Sequence, residues 1–386
     1  MLRKKTAVLL TAVLLSAATA ACGGGENANG GNGGNGGNTP ESSTEAEAGT
    51  GAGAGAEAGA GAEAGAGAGA QTAAADVSGK IVIYTSMYED IIEDMEIDLE
   101  EKFPNLDIEF FQGGSGTLQS KIAAEMDAGK MGWDILMLAE PSYSLELKEQ
   151  GLLHAYKFAD ADKLAFDYDS EGYWYPVRVL NMVLAYNPDL YDLSEVPGSM
   201  KEFAEDPSMK GTLSMSDPLS SGSAYSTMVG LYDKYGEDYI KALGEQNVAV
   251  ESGSVALTKL ETGECKEIMV LEESVLKKRE EEDSSLTVIY PSDGSVAVPS
   301  PIMIVDGKYS ANDNIAAAEA VEDYFLSPDG QKLIVKGWMY PARGDMAECP
   351  YDGTPLSQQT IIPVDWEKCY KQREELRTML QEYLTK

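Results

Sequence analysis

The sequence predicts a two-lobed α/β fold, each lobe a mostly parallel sheet flanked by helices, with a hinge between the lobes. Three observations predict it. Strands and helices alternate as β-α-β-α-β-α from Lys80 to Gln150, the rhythm of a parallel sheet covered on both faces. A second α/β set runs from Gly211 to Tyr290. Two long apolar stretches, Gly172 to Tyr186 and Ser295 to Val305, bracket that set and read as two hinge crossings.

The N-terminus stands apart from this pattern. Arg3, Lys4 and Lys5 precede an apolar run from Ala7 to Leu15 and small residues up to Cys22, so residues 1–21 read as a signal peptide. The approach to Cys22 resembles a bacterial lipobox, with Thr19 where leucine is commonest. That resemblance implies a lipidated Cys22 and a chain tethered to the extracytoplasmic face of the cell membrane. Residues 22–75 are rich in Gly, Ala, Asn and Glu and hold no aromatic residue; such a segment reads as a disordered tether.

The first lobe begins with a buried strand, Lys80 to Thr85, and a helix from Glu89 to Phe103 with Ile91, Ile92, Met95 and Leu99 inward. The strand Leu106 to Phe111 runs into Gly113 and Gly114, and a helix follows with Ile122, Ala123 and Met126 on one side. Trp133 to Leu138 is a strand and Pro141 to Gln150 a helix. In the second set, strands at Gly211 to Met215, Val248 to Val250, Glu267 to Leu271 and Leu286 to Tyr290 alternate with helices ending at Tyr235, Thr262 and Glu282. The charges from Glu272 to Asp283 read as a solvated helix face. Helices at Asn312 to Leu326, Pro328 to Lys336 and Asp365 to Leu384 return to the first lobe. The expected division is 76–180 with 300–386 as lobe one, and 181–299 as lobe two.

Ligands of such sheets sit beyond the carboxyl ends of the strands. Ser86, Tyr88, Gly114, Ser115, Gly116 and Thr117 fall there in lobe one. Ser221, Gly222 and Ser223, and Ser252, Gly253 and Ser254, open helices in lobe two. A helix start offers free backbone N–H groups and the positive end of the helix dipole, which suit an anion. Arg178 lies inside an apolar strand, where a guanidinium needs an anionic partner; it reads as a ligand contact, with a salt bridge to a carboxylate of the chain as the alternative. Glu140 either accepts from a sugar hydroxyl or an amine, helps to bind a metal, or caps its helix, while Arg343 and His154 read as structural.

A formal charge of −35 argues against nucleic acid and anionic lipid as partners. With one His there is no zinc-ligand spacing, and no nucleophile motif marks a catalytic residue. No cofactor is expected, and the chain reads as a monomer. Cys349 and Cys369 are candidates to pair, leaving Cys265, without a spacing that assigns them.

IVIYTSMYEDII, FFQGGSGTLQSKIAAEMDAG, WDILMLAEPSY, GYWYPVRVLNMVLAYNPD, PLSSGSAYSTM, VPSPIMIV and the Leu326–Gln331 helix break together resemble the solute-binding proteins of bacterial ABC importers. The likeness is to the branch of iron(III)-binding proteins that also holds sugar-phosphate and phosphonate binders. The resemblance implies a type II periplasmic-binding-protein fold, a small solute clamped by hinge closure, and delivery to permease subunits. Ferric members carry adjacent tyrosines, and no Tyr-Tyr pair occurs here; the comparable stretch reads Gly263 to Val270. A phosphate-bearing organic anion is therefore favoured over ferric iron. The alternatives are a ligand-sensing partner of a membrane receptor kinase and, behind it, an extracellular hydrolase.

Overall fold

The computed structural model describes residues 77–384. The signal segment, Cys22 and the tether lie outside the described residues.

The first half runs β1 (Gly79–Thr85), α1 (Glu89–Lys102), β2 (Leu106–Gln112), α2 (Ser115–Ala128), β3 (Ile135–Met137) and α3 (Pro141–Glu149). The long strand β4 (Tyr175–Tyr186) leads to α4 (Met200–Glu205), β5 (Leu213–Ser216), α5 (Gly222–Tyr235), α6 (Glu237–Glu245), β6 (Ala249–Glu251), α7 (Gly253–Thr262), β7 (Glu267–Leu271), α8 (Glu272–Glu282) and β8 (Thr287–Ile289). The chain returns through β9 (Val296–Ile304) to α9 (Ile315–Leu326), α10 (Pro328–Lys336), β10 (Tyr340–Pro341), α11 (Trp366–Lys371) and α12 (Arg373–Leu384).

One curled sheet of order β2-β1-β3-β9-β4-β7-β5-β6 carries both lobes. β1 is parallel to β2 and β3, and β5 is parallel to β6 and β7. The long strands join these parallel sets. β9 pairs antiparallel with β3 through Ile302 to Ile304 and with β4 along its length, while β4 continues from Met182 to Tyr186 against β7. Every residue of β4 is buried, as a strand flanked on both edges and covered on both faces must be. The expected two-lobed α/β arrangement with paired long crossings is thus present.

Packing follows the apolar patterning with a few departures. Ile91, Ile92, Met95 and Leu99 of α1 are buried as expected. On α2 the buried stripe is Ser115, Leu118 and Ile122, and Ala123 is exposed. A stripe at i, i+3 and i+7 is the one that faces a core. After the break at Ser327 the start of α10 lies close against the end of α9: a Cβ on Gly330 would stand 2.0 Å from the Tyr324 carbonyl oxygen. Pro328 and the Ser327 N-cap then restart the helix. Gln331 fixes α10 to the long strand, donating to the Val177 carbonyl at 2.7 Å and accepting from the Ala342 N–H at 2.6 Å.

The C-terminal segment departs from expectation. It forms two helices: α11 packs on α3 of the first half, while α12 packs on α6 of the second and touches α3 through its first residue, Arg373. Arg373 pairs with Glu140 and Glu146, Tyr370 donates to Glu149, and Tyr383 donates to Glu237. These polar contacts divide the pair between the lobes. All three described cysteines, Cys265, Cys349 and Cys369, are free thiols.

Glu267, at the start of β7, is fully buried and neither carboxyl oxygen has a hydrogen-bond partner. Burial, reinforced by Glu202, pushes this carboxyl up from 4.5 to about 9. The folded state therefore holds the proton more tightly than the unfolded chain, so its contribution to stability is lost as pH rises from about 4.5 toward 9. Wild-type protein should melt at a lower temperature at pH 8 than at pH 5. In Glu267→Gln the decline should be shallower, with Tm at pH 8 higher by ~3 °C. Parallel pH curves in calorimetry would contradict this.

Candidate functional site

A polar cleft of about 300 Å³ lies between the lobes, and the ends that line it have a common character. Tyr88, Gly114, Ser221, Ser252 and Leu271 are the N-cap residues of α1, α2, α5, α7 and α8, and all five border the cavity. Each helix start brings N–H groups without intrahelical partners and roughly half an elementary positive charge. The capping hydroxyls answer only part of this: Ser221 accepts from the Ala224 N–H at 3.3 Å and Ser252 from the Val255 N–H at 3.4 Å.

The expected residues divide into three groups. Ser86, Tyr88, Gly114, Ser115, Thr117, Ser221, Ser223, Ser252 and Gly253 line the cleft. Gly116 and Gly222 instead hold the lobes together. The Gly116 N–H donates to the Ser220 carbonyl at 3.0 Å, and a Cβ on Gly222 would meet Glu140 Cβ at 2.7 Å and the Ala139 carbonyl at 2.9 Å. Tyr88 adds a third bridge, accepting from the Ser274 hydroxyl at 3.2 Å. Ser254, Glu140 and Arg178 fall outside the lining.

Ser254 borders a neighbouring hollow between α1, α7 and α8. The Glu140 carboxylate is occupied: Arg373 pairs with it at 2.9 Å, Gln119 donates at 2.6 Å and Ser142 at 3.1 Å. Arg178 is fully buried one layer behind the wall. It donates to Ser300 Oγ at 3.3 Å, Met339 Sδ at 3.1 Å and Ser86 Oγ at 3.2 Å, and among the described residues it forms no ion pair. Burial lowers its pKa to about 10, against the opposing pull of Glu273 and Tyr88. It reaches the cleft through Ser86, since its other partners, Ser300 and Met339, do not line the cavity.

Three carboxylates absent from the expectation line the cleft: Asp217, Glu251 and Glu273. Glu251 accepts from Ser214 Oγ at 2.6 Å and pairs with Lys259 at 2.6 Å. Asp217 accepts from the Leu219 N–H at 2.8 Å. Glu273 is 4 % exposed, so the start of the charge run is buried rather than solvated. Burial pushes its carboxyl up to about 7, with Arg178 opposing and Glu272 reinforcing. The clue in the sequence is position: Glu272 and Glu273 directly follow the apolar strand EIMVL, at the same strand-to-helix junction as the serine turns. Arg343 and His154 are structural, as read: Arg343 pairs with Asp345 at 2.8 Å and donates to the Leu326 carbonyl, and His154 meets Glu319 at 2.8 Å.

Comparisons with known proteins place this arrangement in a family. A family model described as bacterial extracellular solute-binding protein matches residues 133–372. The chain belongs to that family. An uncharacterised protein of Haemophilus influenzae is 24 % identical over 339 residues, covering 82 % of this chain and 92 % of that one. The periplasmic binding protein AfuA from Actinobacillus pleuropneumoniae, solved with exogenous fructose-6-phosphate bound, superposes with a TM-score of 0.70 at 22 % identity. That match covers 80 % of this chain and 99 % of AfuA. Iron-bound HitA from Pseudomonas aeruginosa gives 0.67 at 20 % identity, covering 79 % and 99 %. The fold is the type II periplasmic-binding-protein fold. The family consists of extracytoplasmic binding proteins that work with ABC permeases, and no described helix is long and apolar enough to cross a membrane.

Gly222 sets how closely the lobes of this solute-binding protein meet. In Gly222→Ala the added methyl should hold them apart, and the Gly116 amide should exchange with solvent at least tenfold faster, a change of about 1.4 kcal/mol in local opening. Hydrogen-exchange mass spectrometry checks this, and unchanged protection in a folded variant would contradict it.

Proposed function

We propose that the chain captures a phosphate-bearing organic anion in this cleft and delivers it to an ABC permease, as a lipoprotein anchored through Cys22. The observation that carries the reading is the convergence of five helix N-termini on one polar cavity. Partly desolvated N–H groups from several helices form a standing anion receptor, and hydroxyls on Ser86, Ser115, Thr117, Ser221, Ser223 and Ser252 add donors around it. In this reading Arg178 supports the anion at one remove, by holding the Ser86 hydroxyl and adding a buried positive charge. Gly114, Gly116, Gly222 and Gly253 allow the backbones to approach, and Ser254 and Glu140 contribute beside the cleft rather than within it.

Iron held by side chains is less well supported. Among the described residues no three His, Cys, Asp or Glu converge to ligate a metal, and Tyr88 is the one tyrosine that lines the cleft. Bound fructose-6-phosphate in AfuA and iron in HitA show that relatives of this fold take both kinds of cargo.

A thermal-shift panel of hexose phosphates, phosphoglycerate, aminoethylphosphonate and ferric citrate tests the reading. A ligand at 100 times its Kd should stabilise the protein by about 2.7 kcal/mol. Phosphorus-bearing solutes should raise Tm, and Arg178→Gln should weaken their binding at least tenfold, about 1.4 kcal/mol. A shift with ferric citrate alone would overturn the proposal.

A further inference from the structure

We infer that Glu273 is a specificity residue: the cleft selects a solute whose anionic head carries, a few bonds away, a hydroxyl or ammonium group that donates to this carboxyl. The inference rests on the reading of the cleft as an anion-head receptor.

Glu273 stands apart from the other acids around it. Asp217 and Glu251 already accept hydrogen bonds within the protein. Its neighbour Glu272 accepts from Asn181, Tyr290 and Tyr340. Glu273 lines the cavity at 4 % exposure, and no hydrogen-bond donor among the described residues meets its carboxyl. A carboxyl so deeply placed ordinarily has a donor, and leaving it without one is costly. The cavity that Glu273 lines is where a solute could bring that donor.

The other side of the balance is Arg178. Its partners are two hydroxyls and a thioether, all neutral, so among the described residues a buried cation one layer behind the cleft wall and a buried acid on that wall are not paired with each other. An inorganic anion would answer the helix starts and Arg178 while adding negative charge beside Glu273. A solute with both an anionic head and a donor answers both groups at once. The cavity allows for this: about 300 Å³ lies at the small end of organic-ligand sites.

The test is calorimetric titration of the full chain with inorganic phosphate, methyl phosphate, glycerol phosphate and aminoethylphosphonate. Methyl phosphate has the head and an organic part without a donor; the last two add a hydroxyl and an ammonium. Wild type should bind at least one donor-bearing probe tenfold or more tighter than methyl phosphate, the usual size of a hydrogen bond to a charged group. In Glu273→Leu the gap should fall to about threefold or less, with methyl phosphate bound no more weakly than by wild type. Glu273→Gln keeps a carbonyl acceptor, so a preference for the hydroxyl should survive in part while a preference for the ammonium should vanish. This variant keeps the shape should the leucine variant misfold. Equal binding of methyl phosphate and both donor-bearing probes by wild type, or an unchanged gap in the folded variants, overturns the role of Glu273 alone. Failure of all four probes to bind overturns the anion-head reading and this inference with it.

Discussion

Unanswered N–H groups at converging helix starts are the constraint around which this structure is arranged. Five helices begin at one cleft, and each brings partial positive charge to it. Such charge needs answering. The protein answers part of it with capping hydroxyls at Ser221 and Ser252 and part with carboxylates at Asp217, Glu251 and Glu273. The remainder is left for a solute.

The sheet explains why the helices start together. β1 with β2 and β3, and β5 with β6 and β7, are two parallel sets, so all their helices leave from carboxyl ends of strands. β4 and β9 bind the sets into one curled sheet that turns those ends toward each other. Closure is then a matter of atoms rather than of global shape. The Gly116 N–H reaches the Ser220 carbonyl, and Gly222 lies against Ala139 and Glu140 with no room for a side chain. The C-terminal helices add contacts on both sides through Arg373 and Tyr383.

Much of this was legible in the sequence because it was written in local signals. Strand-to-helix junctions at Gly114 and Thr117, Ser221 and Ser252 carry capping residues and apolar periodicity, and the cleft falls there. The long buried strand β4 was legible as an uninterrupted apolar run. Long-range partners were not. Nothing near Glu140 announces that Arg373, more than 200 residues later, occupies its carboxylate. Arg178 looked like a ligand contact because a guanidinium in an apolar strand needs an anion; Ser86 stands between it and the cavity. Glu273 was hidden in a charge run, since helical patterning alone does not reveal that the acids of the first turn, Glu272 and Glu273, are buried.

The central claim is that backbone N–H groups at the starts of α2, α5 and α7 hold the anionic head of the solute. Amide-detected NMR of the protein titrated with a hexose phosphate tests this directly. The amides of Ser115 to Thr117, Gly222 to Ser223 and Gly253 to Ser254 should move together and downfield with one saturable binding curve. Saturable binding that leaves those amides in place while shifts gather elsewhere would contradict it.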